Sequence, residues 1–227
     1  MISLIIPSAG IGKRTGSTIP KQFVQIHGLP VIAHTVAAFI GIVDEVIISV
    51  DSEWLIFIED WLEQYKIYFQ SIKYVIGGSE RQYSIANAIN SLDEKCSIVL
   101  VHDAARPNPS KELILEVINK ASIYDGASPG LIPADTIKKV VNGLSIETLK
   151  RDELRATQTP QGFKVEVLKA AYNKALKDEY LGTDDASLVE ANGGKIFITL
   201  GESSNIKITY PIDFIVAELI LKNKSID

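Results

Sequence analysis

The sequence predicts an α/β domain, a mostly parallel sheet covered by helices on both faces. Short apolar runs of strand length recur along the chain and end at glycine or proline. Segments of roughly ten residues with helical spacing separate those runs, the pattern that βαβ units produce. No repeat, low-complexity stretch or Ser/Gly/Pro-rich linker interrupts residues 1–227, so a single domain is expected.

Taken in order, Ile2–Ile6 is an apolar run ending at Pro7 and Gly10, which suits a buried strand entering a loop. Val31–Phe39 has helical spacing, and Glu45–Val50 reads as a second buried strand. Residues 54–65 read as an amphipathic helix with Trp54, Ile58, Trp61, Leu62 and Tyr65 on one side. Lys73–Ile76 is a short strand before Gly77-Gly78, Gln82–Leu92 is helical, and Ser97–Val101 is the central strand. Asn108-Pro109-Ser110 opens a helix over 111–122 with Ser110 as its N-cap, and another strand begins at Ala127. Thr136–Leu149 breaks the rhythm. It alternates apolar and polar residues around Asn142-Gly143, the strongest short-range hairpin signal. A hairpin leaving an α/β domain is either an arm gripping a partner subunit or a flap over a site.

Composition narrows the function. A chain of 227 residues with 46% apolar content can bury a sizeable core. Its net charge of −5, with signs mixed along the chain, argues against a broad basic face for nucleic acid but leaves room for a local basic pocket. The single cysteine, Cys96, lies beside an apolar run and reads as a small hydrophobe. The N-terminal apolar run is too short for a signal peptide or a membrane span, so a cytoplasmic location is expected.

Four segments carry possible chemistry. The first is Pro7-Ser8-Ala9-Gly10-Ile11-Gly12-Lys13-Arg14-Thr15-Gly16, with Lys21 behind it. Small residues after a strand let backbone N–H groups approach an anion, and Lys13, Arg14 and Lys21 suit a triphosphate. The spacing is neither a Walker A loop nor a clean dinucleotide fingerprint, and a tight turn with solvated charges is the alternative. The second, Gly77 to Ser84, can admit a flat base against its backbone, or is a turn with Ser79 as an N-cap.

The third, His102-Asp103-Ala104-Ala105-Arg106, follows the central strand, where parallel sheets bind ligands. Asp103 can hold Mg²⁺ or a ribose hydroxyl and Arg106 can clamp a phosphate, or the two merely pair to fix the turn; His102 reads as structural. The fourth, Thr183-Asp184-Asp185, serves a metal or an ordinary helix start with a Thr183/Ala186 cap. Asn205–Thr209 looks strand-like and carries Lys207, which by itself says little.

Six blocks in order resemble the 2-C-methyl-D-erythritol 4-phosphate cytidylyltransferases of the non-mevalonate isoprenoid pathway, from about Ile2 to Glu218. They are Ser8–Arg14 with Pro20-Lys21-Gln22; Gly77–Arg81; His102–Pro107; Asp135-Thr136-Ile137-Lys138; Gln158-Thr159-Pro160-Gln161 after Arg151; and Thr183-Asp184 with Asn205–Thr209. The resemblance implies a Rossmann-like fold of the nucleotide-diphospho-sugar transferase type, with a β-arm at about 136–157 that builds a homodimer. It implies a CTP pocket at Pro7, Ser8, Ala9, Gly10, Gly12, Gly78, Arg81, Ser84, Asp103 and Ala104, with Asp103 also at Mg²⁺. Arg14, Lys21 and Lys207 resemble the catalytic cations around the triphosphate.

Arg106, Thr136 and Arg151 resemble the sugar-phosphate site, the last two lent by the partner's arm. Ser8 and Ser79 depart from the family pattern, which usually has Ala at the first position and frequently an acid at the second. A ribitol-5-phosphate cytidylyltransferase is the nearest alternative, and Ala105 with Asp135–Lys138 leans toward the erythritol type. A non-catalytic nucleotide-binding module and a hydride-transferring enzyme fit the surviving cations less well.

Overall fold

The computed structural model describes residues 1–10 and 19–224. In chain order, strand β1 spans Ile2–Pro7, and the short strands β2 (Gln25–Ile26) and β3 (Leu29–Pro30) lead into helix α1 (Val31–Ala37). Strand β4 (Glu45–Val50), helix α2 (Leu55–Leu62), strand β5 (Ser71–Ile76), helix α3 (Arg81–Ile89) and strand β6 (Ile98–Val101) follow. Next come α4 (Lys111–Ile123), β7 (Gly126–Leu131), and the hairpin of β8 (Lys138–Val141) and β9 (Leu144–Thr148). The chain ends with β10 (Ala156–Thr157), β11 (Gln161–Lys164), α5 (Val165–Lys177), α6 (Asp185–Ala191), β12 (Ile196–Leu200) and α7 (Pro211–Lys224).

The central sheet is mixed but mostly parallel. Strands β5, β4, β1 and β6 lie side by side and parallel. Antiparallel β11 follows β6, and β10 and β11 run along one edge of β7 while β12 pairs parallel to its other edge. Strands β1, β4 and β6 are buried on both faces, because alternate side chains point to opposite sides and each side is covered. Leu4, Ile6, Val46, Ile48, Ile98 and Leu100 pack under α1, α2 and α4. Ile5, Ile47, Val99 and Val101 pack with α3, α5 and α6 on the other side. Truncating one of these fully buried aliphatics to alanine costs about 2–5 kcal/mol.

Several expected elements sit close to where the sequence put them. Ser110 caps α4 by accepting from the Leu113 N–H at 3.0 Å. Asn142 and Gly143 have φ of 48° and 81°, the pair of positive values that a type I′ hairpin turn requires. Others differ. The helix expected over 54–65 is α-helical only through Leu62 and tightens to a 3-10 turn over Glu63–Tyr68. Glu80, not Ser79, stands at the N-cap of α3. The start of α6 is a capping box between Asp184 and Ser187, because Asp184 can accept the Ser187 N–H while Ala186 has nothing to return. Asn205–Thr209 forms no strand; its Ile208 N–H donates to the Ala105 carbonyl.

Candidate active site

The sheet topology fixes where ligands can sit. Going outward from β1, the chain builds β4 and β5 to one side and then returns to place β6 on the other. At such a switch point the loops after adjacent strands diverge and open a crevice above their C-terminal ends. A cavity of about 300 Å³ lies there, lined by Pro7, Ala9 and Gly10 after β1, Gly78–Arg81 and Ser84 after β5, and Asp103–Ala105 after β6, with Lys21, Gln22 and Lys207. A second cavity of about 180 Å³ shares Arg81, Asp103 and Lys207 and adds Arg106, Thr157–Thr159, Gln161, Thr183 and Asp184. The two hollows therefore meet across one carboxylate and two cations.

Asp103 is the electrostatic centre. Its carboxylate pairs with Arg81 Nε at 3.4 Å, Arg106 Nε at 3.3 Å and Lys207 Nζ at 2.9 Å. Burial alone would raise its pKa, but Arg81, Lys207 and Arg106 outweigh it and hold the group well below the usual carboxylate range. Arg81 is itself shared, with Asp185 Oδ2 at 2.8 Å, and Asp185 accepts from the Tyr172 hydroxyl. Asp184 and Asp185 are thus committed, the first to a helix cap and the second to an arginine brace.

A relay of hydrogen bonds fixes the turn after β6. The Asp103 N–H donates to Thr159 Oγ1 at 3.0 Å, and Thr159 Oγ1 lies 3.1 Å from His102 Nδ1. His102 Nε2 lies 2.9 Å from the Arg106 carbonyl, which needs a donor, so the proton belongs on Nε2. His102 is fully buried, and desolvation pushes its pKa down to about 4, so the ring is neutral, as its structural reading expected.

The glycine loop is braced from behind. Gln22 Nε2 donates to the Ser8 carbonyl at 2.6 Å and the Gly10 carbonyl at 2.9 Å. Ser8 faces inward, with a buried hydroxyl that has no hydrogen-bond partner among the described residues. A Cβ at Gly77 would stand 2.3 Å from Ala9 Cβ, so only glycine lets the two loops touch. The Ser84 hydroxyl accepts from the Gly78 N–H at 3.0 Å and so shapes that loop from within. Lys21 donates to the Ile208 carbonyl at 2.6 Å, tying the first loop's exit to the segment carrying Lys207.

Of the residues singled out by sequence, Pro7, Ala9, Gly10, Lys21, Gly78, Arg81, Ser84, Asp103, Ala104 and Lys207 converge on the larger cavity. Arg106 lines the smaller one and is largely engaged below it, donating to the Asn205 carbonyl at 2.8 Å as well as to Asp103. Gly12 and Arg14 lie outside the described residues. Thr136 and Arg151 are exposed on the 132–157 excursion and line neither cavity; Arg151 donates to the Ala134 carbonyl.

Sequence reasoning assigned no role to Gln22, Gln158 or Asn205. Nothing in the local sequence marks them, since they stand beside other polar residues, and only the fold buries them, to 3%, 7% and 0% exposed. Among the described residues, no helix is long and apolar enough to cross a membrane, and no three His, Cys, Asp or Glu residues cluster as a metal site.

A crevice at the switch point, glycine loops on two sides and cations gathered round one carboxylate define a nucleotidyltransferase. The comparisons make this specific: the chain belongs to the 2-C-methyl-D-erythritol 4-phosphate cytidylyltransferase (IspD) family, whose model matches residues 2–223. A protein of that name from Bacillus mycoides is 42% identical over 224 residues, covering 97% of this chain and 98% of the relative. Its counterpart from Clostridium perfringens is 38% identical over 221 residues, covering 96% and 97%. The solved 4-diphosphocytidyl-2C-methyl-D-erythritol synthase of Anaerococcus prevotii superposes with a TM-score of 0.87 at 32% identity and 98% coverage of both chains. The Thermus thermophilus enzyme gives 0.79 at 30% identity, covering 97% of this chain and 98% of that one.

Proposed function

We propose that the chain joins CTP to 2-C-methyl-D-erythritol 4-phosphate, giving the CDP-linked methylerythritol and pyrophosphate in isoprenoid precursor synthesis. The observation that carries this is Asp103, buried at the switch point between two cavities and paired with Arg81, Arg106 and Lys207. The larger cavity suits the nucleotide, with the Gly10 and Gly78 loops offering backbone to base and phosphates. The smaller one, walled by Arg106 and Thr159, suits the sugar phosphate. Relatives and family alike bear the methylerythritol name, so the ribitol-5-phosphate alternative is not favoured.

The chemistry is positioning and charge stabilisation, with no covalent enzyme intermediate. A phosphate oxygen of the sugar phosphate attacks the α-phosphorus of CTP. The new P–O bond forms opposite the breaking bond to the bridging oxygen, and pyrophosphate leaves with that electron pair. Lys21 and Lys207, with Arg14 on the first loop, would meet charge that grows on the phosphate oxygens. Mg²⁺ fits the donor set: a hard cation held by one carboxylate, Asp103, with the remaining positions left to phosphates and water. Bound there, it would neutralise phosphate charge. A homodimer is part of the reading, with Thr136 and Arg151 of the partner's 136–157 excursion reaching the sugar phosphate.

Pyrophosphate release, measured with CTP and each sugar phosphate in turn, tests the assignment. The methylerythritol substrate should give the far larger kcat/KM, and preference for ribitol phosphate would overturn it. Arg151→Ala should raise KM for the sugar phosphate more than for CTP; the reverse pattern would remove the arm from the site.

A further inference from the structure

Arg81 borders both cavities, and its guanidinium is shared between two carboxylates. Nε lies 3.4 Å from Asp103 Oδ1, and Nη2 donates to Asp185 Oδ2 at 2.8 Å. A guanidinium has five N–H donors, so this sharing leaves others for a bound nucleotide. It also leaves a competing arrangement unused. Arginine and carboxylate pair best in a bidentate fork, with both oxygens of one carboxylate meeting two N–H groups of one arginine. Asp185 meets Arg81 through Oδ2 while its other oxygen is taken.

The group that takes it is Tyr172 on α5, whose hydroxyl donates to Asp185 Oδ1 at 2.5 Å. Both side chains are closed to solvent, Tyr172 being 2% exposed and Asp185 1%. Helix packing sets their approach. Leu168, Ala171, Tyr172 and Ala175 of α5 share a core with Leu188 and Val189 of α6, and Asp185 is the first residue of α6. Burial, and then the facing Asp185 carboxylate, push the phenol well above its ordinary value, so it stays protonated and donating. Tyr172 lines neither cavity, so its route to the site runs through Asp185.

Without the hydroxyl, Asp185 Oδ1 is a buried acceptor that has lost its donor, a costly state that a nearby donor relieves. Arg81 is that donor. Its side chain is 35% exposed, open enough to turn, and a small rotation lays a second N–H on Oδ1. The same rotation carries Nε away from Asp103, a contact already long at 3.4 Å. We infer that Tyr172 is a positioning residue for the nucleotide site: by holding Asp185 Oδ1 it keeps Arg81 shared between Asp185 and Asp103 instead of locked onto Asp185. The inference rests on reading the larger cavity as the CTP site and extends that site to a side chain that touches no substrate.

Tyr172→Phe deletes the hydroxyl and keeps the ring. In its crystal structure Arg81 should sit bidentate on Asp185, with Nε beyond about 4 Å from Asp103. Its kcat should fall about tenfold while KM for CTP and for the sugar phosphate stays within about twofold, since charge is kept and placement is lost. Leu168→Val, one turn earlier in α5 and in the same apolar core, is the structural control. It should lower the thermal midpoint comparably yet leave kcat within about twofold of wild type. Asp185→Ala should also lose kcat. Adding Tyr172→Phe to it should lower kcat no further and should raise the midpoint, because the hydroxyl there has no carboxylate to bond. An unmoved Arg81 in the Tyr172→Phe crystal, a wild-type kcat, or losses that multiply in the double variant would each overturn the role of Tyr172. A wild type that releases no pyrophosphate from CTP would overturn the functional reading instead, and the crystal and midpoint comparisons would still decide whether Tyr172 holds Arg81 in place.

Discussion

Replacing Asp103 by asparagine keeps its shape and removes its charge, which isolates the electrostatic role. Asp103 and Arg106 side chains are each 10% exposed, so their 3.3 Å pair sits in a poorly solvated place. Leaving one member of such a pair without its counter-charge costs about 3–5 kcal/mol. The other two cations lose less. Arg81 keeps Asp185 at 2.8 Å, and Lys207 is 39% exposed, so water replaces most of what it loses. Asparagine still offers an oxygen to Arg106, which puts the total near the lower end, about 3 kcal/mol. For a domain of this size each kcal/mol moves the midpoint by about 2–4 °C, so the expected fall is about 6–12 °C. Catalysis should separate from binding. The site becomes more positive, so KM for CTP should hold or drop, while kcat falls about a hundredfold or more as the carboxylate proposed to hold Mg²⁺ is lost. Thermal unfolding and steady-state pyrophosphate release measure both. A midpoint shift below about 2 °C would refute the electrostatic account, and a kcat within about threefold of wild type would refute the catalytic one.

Lys21→Ala should lower kcat by about two to four orders of magnitude while the fold persists, since Lys21 lines the larger cavity and its bond to the Ile208 carbonyl is of a kind worth about 1–3 kcal/mol; near-normal turnover would take Lys21 out of the mechanism. Ser8→Ala removes a buried hydroxyl that has no partner among the described residues, so the thermal midpoint should rise by about 2–4 °C, and a fall would mean that the hydroxyl is satisfied in solution. His102 gives a pH signature. Its pKa is about 4 in the folded chain and 6.5 ordinarily, so the unfolded state takes the proton first. Stability is full above about 6.5 and lost as pH falls toward 4, by about 2 kcal/mol between pH 7.5 and 5. Asp103 stays ionised in both states across that window. Urea midpoints of His102→Asn should therefore be flatter than those of wild type over this range, and parallel curves would exclude His102 as the source.

The parts of the fold visible in the sequence are those set by local rules. Strands β1, β4 and β6 are continuous apolar runs because both their faces are buried, and that pattern needs no tertiary information. Ser110 and Asn142-Gly143 were legible because caps and I′ turns make local chemical demands. The late segments were harder. Asn205–Thr209 alternates like a strand, yet much of its hydrogen bonding is to the Gln158 and Lys21 side chains and, from the Asn205 amide, to the Thr159 carbonyl, all distant in sequence. The site divides the same way. Glycines, Asp103 and the cations announce themselves at strand ends, whereas the bonds that spend Arg106 on Asn205 and Asp103 depend on long-range contact. Gln22 was quoted only as part of a block, because nothing local distinguishes a glutamine that braces a loop from one in solvent.

Gln158 is where long-range bonding should turn into a kinetic effect. Its amide accepts from the Glu202 N–H at 3.0 Å and donates to the Glu202 carbonyl at 2.8 Å, with a longer contact to the Asn205 carbonyl at 3.3 Å. Gly201 passes so close that a Cβ there would stand 2.8 Å from Gln158 Oε1, so the amide and the chain are in contact. These bonds pin segment 201–205, and Lys207 follows two residues later. Gln158→Ala leaves a partly buried N–H and carbonyl on Glu202 to find water, at a cost of about 1–3 kcal/mol. The Lys207 ammonium keeps its charge but loses its fixed approach to Asp103. Affinity for the triphosphate depends on charge and should change little, whereas transition-state stabilisation depends on placement and should fall about ten- to a hundredfold in kcat. Gln158→Glu separates the two effects, because it keeps an acceptor for the Glu202 N–H but loses the donor to the Glu202 carbonyl. Its kcat should fall between those of wild type and Gln158→Ala. Equal kcat in all three proteins would show that Lys207 is held by something other than this amide.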